Sequence, residues 1–186
     1  MNPPAIPVAE VVRARSGRWL ARALLLEFFV HGLAMLSMAA LLLPGTPGGS
    51  QDDVAARMAY VAAHPWLWRF GWLPWGLTAL ANLLLALALL RTPWISRSLA
   101  WLTLLATVCA FIPDQSGQVL WDTAGVALAA HGNLAAYASF EQTTFPIIAA
   151  GGGAGYTLAA ILWSVCLARA GVWSRGMTVF SCILWA

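Results

Sequence analysis

LLLEFFVHGLAMLSMAALLL, residues 24–43, decides the fold. Two ionisable side chains, Glu27 and His31, interrupt a run that is otherwise apolar or small. A helix needs about 20 such residues to cross the hydrocarbon core of a bilayer. The apolar part of a secretory leader spans only about 7–15, so an uncleaved first membrane span is expected. We place it at about 19–43, ending at Pro44-Gly45. Residues four apart on a helix share a face, which sets Glu27 beside His31. Ionisable groups at membrane depth are costly and turn toward a partner or a water-filled cavity. A carboxylate next to an imidazole also has the makings of a general acid–base pair, so Glu27 and His31 are the candidate catalytic residues.

The composition agrees with a membrane setting. Of 186 residues, 61% are hydrophobic and 9% charged, with a mean hydropathy of +0.76. Soluble domains carry about 25% charged residues. Too few polar side chains remain to coat a water-facing globule, so the bilayer is the expected main partner. The net charge of +3 comes from ten arginines against seven acids, without lysine. These arginines sit at the ends of apolar runs, and no basic–aromatic surface or Gly-rich phosphate loop accompanies them. Nucleic-acid binding is therefore excluded. Cys109, Cys166 and Cys182 lie in apolar runs without a CxxC partner and read as free, buried thiols.

The remaining chain divides into further apolar runs. A first loop, 45–64, opens on a Gly/Pro turn, and Ser50 is expected to cap a short helix with Asp52 and Asp53 in its first turn. The stretch PWLWRFGW precedes a second span at about 73–90, and Trp66, Trp68, Trp72 and Trp75 suggest an interfacial aromatic belt. The third span, about 94–112, is expected to stop at Pro113. Residues 114–145 are more polar and predict a short helical cap, with one helix over 120–130 and a second capped by Asn133. The fourth span, about 146–168, begins on a proline suited to a first helical turn. A fifth apolar run, 176–186, is too short to span and reads as the start of a helix belonging to a longer chain. The expected architecture is an all-α polytopic transmembrane helix bundle. It forms a single integral membrane domain over 1–186, with four full spans, a fifth incomplete one and a cap on the outer face.

Orientation follows from the arginines. Arg13, Arg15, Arg18, Arg22, Arg91, Arg97, Arg169 and Arg175 fall on one side of this topology, and only Arg57 and Arg69 on the other. The positive-inside rule then puts the N-terminus in the cytoplasm of a cell whose inner membrane holds the protein. At about 1.5 Å of rise per residue, each span contributes a polar group to one central layer. That layer comprises His31, Asn82, Thr103, Thr107 and Tyr156, with Thr157 beside Tyr156, while Glu27 lies one turn nearer the cytoplasm with Ser164 as a neighbour. Asn82, Thr103, Thr107 and Tyr156 are the candidate ligand-binding residues. Such a layer also serves as hydrogen-bonded glue between helices.

Other signals are weaker. His31, Met35 and Met38 share a helical face, but no HxxxH or HExxH motif accompanies them and no metal site is expected. Haem ligation by His31 is a further reading, and the sequence leaves the cofactor unknown. His64, Asp114, Asp122, His131 and Glu141 are assigned to the outer side as dispersed loop charges. GGGAG at 151–155 contains a GxxxG pair, which permits close helix approach. WLWRFGWLPWGL, residues 66–77, resembles the tryptophan-rich sensory/translocator proteins, a family that binds porphyrins and other lipophiles. It lacks their paired prolines within the Trp-rich loop, and the chain is not placed in that family. The expected function is binding or translocation of a small lipophilic ligand at the polar layer. Its rivals are acid–base catalysis by Glu27 and His31 on a lipid-like substrate, and a structural subunit without a site.

Overall fold

The structure, a computed structural model, describes residues 8–185. The proline-rich start at Pro3, Pro4 and Pro7 lies outside the described residues, as do Ala186 and the side chains of Arg13 and Arg15. Every regular element among the described residues is helical. Helix α1 (Val8–Ser37) widens into a π-turn at Met38–Leu42 and tightens into a 3-10 turn at Leu43–Gly45. Helices α2 (Val54–Ala63), α3 (Pro65–Leu90) and α4 (Arg97–Leu120) follow. A π-turn at Trp121–Gly125 joins α4 to α5 (Val126–His131). Helix α6 (Leu134–Pro146) passes through another π-turn, Ile147–Gly152, into α7 (Gly153–Arg169), and α8 is Arg175–Trp185.

Four helices are long and apolar enough to cross a membrane: 16–45, 65–90, 97–131 and 134–169. Their outward faces carry large apolar side chains such as Phe28, Phe29, Leu36 and Leu105. Water would not tolerate so much of this surface, whereas hydrocarbon does. The eleven-residue α8 is not among the four.

Several boundaries differ from the sequence expectation. The second helix starts at Pro65, eight residues before the expected span, because Pro65 suits a first turn and the PWLWRFGW stretch is itself helical. Helix α4 runs through Pro113. The proline leaves the Cys109 carbonyl without its usual helical donor, yet tertiary packing holds the helix. A Cβ on Gly151 would come within 3.0 Å of the Pro113 ring, so the bare glycine makes room for it. Residues 114–145 are accordingly not a separate cap; they extend the third and fourth long helices into a hairpin. Gly132, at φ 69°, turns the hairpin, and the Asn133 side chain caps α6 by accepting from the Ala136 N–H at 3.0 Å. Asp53, not Ser50, caps α2, accepting from the N–H groups of Ala55 and Ala56.

The long helices alternate in direction and pack in series, α1 on α3, α3 on α4 and α4 on α7. In the last of these contacts glycines admit a close approach. A Cβ on Gly155 would sit 2.6 Å from Ala110 Cβ, and one on Gly152 would sit 2.8 Å from Asp114 Cβ. Nothing comparable joins the two ends of the series, α1 and α7. Two apolar clusters cap the assembly at opposite ends. One gathers Leu20, Leu85, Leu89 and Leu167 near the arginine-rich end. The other gathers Leu42, Val61, Trp68, Trp72, Trp121 and Tyr137. Trp66 is exposed, but Trp68 and Trp72 are buried and pack edge-on at 5.6 Å, so the expected aromatic belt is in part a core.

Candidate functional site

Between the two clusters lies a cavity of about 340 Å³, bounded by the edge helices α1 and α7 and floored by α3 and α4. Helix α1 presents Glu27 and His31 to it, the π-turn after it Met38, and α3 presents Trp72, Trp75, Thr78 and Asn82. Asp114 and Gln118 come from α4, Ile148 and Ala149 from the π-turn, and Gly153, Tyr156, Thr157 and Ala160 from α7. The wide turn at Ile147–Gly152 thus re-aims the backbone where the wall is built, a recurrent use of π-turns.

Each polar group can be followed to its partner. The Nδ1 of His31 stands 3.0 Å from Glu27 Oε1 and 3.2 Å from the Glu27 carbonyl oxygen. Both neighbours are acceptors, which places the N–H on Nδ1 and leaves Nε2 free to accept, or to donate once the ring is protonated. Glu27 Oε2 is buried without a partner. Across the cavity, Asp114 Oδ1 accepts from Gln118 Nε2 at 3.1 Å. Its Oδ2 accepts from Gln115 Nε2 at 2.9 Å and, more weakly, from the Tyr156 hydroxyl at 3.4 Å. Asn82 donates to the Thr78 carbonyl at 3.2 Å, and Thr78 donates to the Trp75 carbonyl at 2.7 Å. The indole N–H groups of Trp72 and Trp75 are buried and unpartnered.

Four of the sequence-derived candidates, Glu27, His31, Asn82 and Tyr156, line this one cavity, and Thr157 joins them. Thr103 and Thr107 do not. Both lie on the stripe of α4 that carries Asp114, but Thr107 is about two turns and Thr103 about three turns nearer the arginine-rich end. There α4 and α7 pack too tightly to leave a space. Thr103 donates to the Leu99 carbonyl and Thr107 to the Thr103 carbonyl, so both hydroxyls are bonded within their own helix. Ser164 is no partner of Glu27 either; it donates to the Ala160 carbonyl and receives a bond from Ser181 at 2.9 Å. Sequence reasoning missed Asp114 and Gln118 as cavity residues. Their i, i+4 spacing was a usable signal, hidden by the expectation that Pro113 ends the helix.

The other charged groups that the sequence assigned to one loop cluster separate. Arg57 donates through Nε to Glu141 Oε1 at 2.8 Å and through Nη2 to Oε2. Its Nη1 donates to the carbonyls of Gln51 and Asp52, both at 2.8 Å. The Glu141 hydrogen bond holds the guanidinium pKa above its usual value. Arg69 donates to the Asp122 carbonyl at 3.1 Å and lies 5.1 Å from the Trp66 ring centroid. His64 stacks on Tyr60 at 5.0 Å. Among the described residues, no three His, Cys, Asp or Glu side chains come together to hold a metal ion. All three cysteines are free; Cys166 is buried, while Cys109 and Cys182 lie exposed rather than buried as expected.

Fold and site together define a protein that is all-helical among the described residues, with four membrane-length helices and a cavity among them lined by apolar side chains and a few polar ones. Compared with models of known protein families, with curated proteins and with solved structures, the chain finds no match.

Proposed function

We propose that this is a multi-pass membrane protein that binds or translocates a small, lipophilic ligand in the cavity between α1 and α7. One observation carries the reading: apolar and aromatic walls enclose a few convergent polar groups, among them two carboxylates, in a space of about 340 Å³. Small-molecule sites have this composition and roughly this size. The packing supports sideways entry, because α1 and α7 are the unjoined ends of the helix series and His31, half exposed, stands at that gap. The alternating arginine pattern supports an inner-membrane setting with a cytoplasmic N-terminus.

The test is mass spectrometry of protein purified from membranes and re-exposed to membrane lipid extract. A small molecule that co-purifies with wild type and is lost from Glu27→Gln and His31→Ala supports the reading. Identical, empty spectra from all three contradict it. A second reading, a membrane-embedded enzyme, draws on the 3.0 Å contact between Glu27 and His31, which is within proton-transfer reach. The same incubation separates the two, since an enzyme leaves a new product and a carrier leaves its ligand unchanged.

A further inference from the structure

We infer that the ligand is a lipophilic cation, an amine or quaternary ammonium with an apolar body, held between Glu27 and Asp114. The inference rests on the cavity being a ligand site and names the chemistry of what fills it. Glu27 and Asp114 are each more than nine-tenths buried, and both line the cavity. Among the described residues, no arginine lines it. The two arginines nearest in the chain to that end are engaged elsewhere, Arg57 with Glu141 and Arg69 with the Asp122 carbonyl and the Trp66 ring.

Asp114 therefore accepts only from neutral donors, Gln115, Gln118 and Tyr156. Glu27 has the His31 ring on Oε1, which supplies a cation only while that ring is protonated, and nothing on Oε2. A buried carboxylate without a cation must be neutralised by a proton or by a charge from outside. Two facing one space make that space a trap for positive charge. A metal ion fits poorly, since among the described residues no three His, Cys, Asp or Glu side chains come close enough together to hold one. An organic cation needs few ligands and benefits from aromatic faces, which Trp72, Trp75 and Phe145 line the cavity to offer. Sideways entry past His31 suits a molecule whose body dissolves in lipid.

Three radiolabelled probes of one size test this: benzyltrimethylammonium, its neutral isostere neopentylbenzene, and the anion 4-phenylbutyrate. Each is equilibrated by dialysis against protein in micelles and against protein-free micelles. A control variant, Gly153→Phe, fills the cavity from a position where a Cβ meets nothing closer than the Ile148 carbonyl at 4.0 Å. Expected is cation binding about tenfold or more tighter than that of the other two probes. It should fall about tenfold or more in Asp114→Asn and in Glu27→Gln and disappear in Gly153→Phe. Gel filtration and circular dichroism confirm folding, and Asp114→Asn decides alone if Glu27→Gln does not fold. Equal binding of all probes, or cation binding retained in the carboxylate variants, overturns the inference while loss in Gly153→Phe preserves the ligand site. Binding of no probe that Gly153→Phe removes overturns both.

Discussion

Two buried acidic centres in this protein are built on opposite principles. Glu141 meets Arg57 in a two-pronged pair, and the same guanidinium ties down the Gln51 and Asp52 carbonyls. Four of its five N–H donors are engaged, with Arg57 6% and Glu141 4% exposed. This centre pins α2 and the loop before it to α6. Glu27 and Asp114 are as deeply buried, at 9% and 8% exposed, but have only a histidine and neutral donors for company. The first centre is complete and can be explained by stability alone. The second keeps charge capacity in reserve beside a cavity, which stability does not require and ligand binding does.

The sharpest way to break the comparison is at Arg57. Arg57→Ala leaves Glu141 buried without its cation and should cost about 3–5 kcal/mol of unfolding free energy, measured by denaturant titration in mixed micelles. The paired swap Arg57→Met with Glu141→Leu should recover most of that loss, because no uncompensated charge remains. Next in size is Gly152→Ala. Its Cβ would fall 2.8 Å from Asp114 Cβ, forcing α4 and α7 apart at about 1–3 kcal/mol by the same titration. Asp114→Asn should behave differently from both. An amide keeps hydrogen-bonding capacity without the charge, so stability should stay within about 1 kcal/mol of wild type while binding of the cation falls. Thr103→Val should be the mildest, within about 1 kcal/mol and without effect on binding, since that hydroxyl donates to its own helix and, away from the cavity, meets only the Cys166 thiol at 4.0 Å.

These contrasts also show what the sequence could reveal. Hydropathy marks the long helices because the bilayer imposes a length and an apolar surface. The i, i+4 spacing of Glu27 and His31 foretells their contact because helical geometry is local. The Gly151/Gly155 pair foretells close packing on α4 because small residues admit a neighbouring backbone. Asp114 was misplaced because proline was read by its helix-breaking propensity, which the packing of Pro113 on Gly151 overrides. Thr103 and Thr107 fall outside the cavity for another reason. Counting residues gives approximate depth, but not where two helices pack closely and where they leave space. The Arg57–Glu141 pair spans 84 positions and has no local signature at all.

The central claim is that Glu27 and Asp114 respond to what enters the cavity and Glu141 does not. Infrared difference spectroscopy of the carboxyl C=O stretch, recorded as benzyltrimethylammonium is added, reads this directly. The account predicts a ligand-induced carboxyl signal in wild type, diminished in Glu27→Gln and in Asp114→Asn and present in the Arg57→Met, Glu141→Leu double variant. A flat spectrum in wild type, or a signal undiminished in both carboxylate variants, would contradict it.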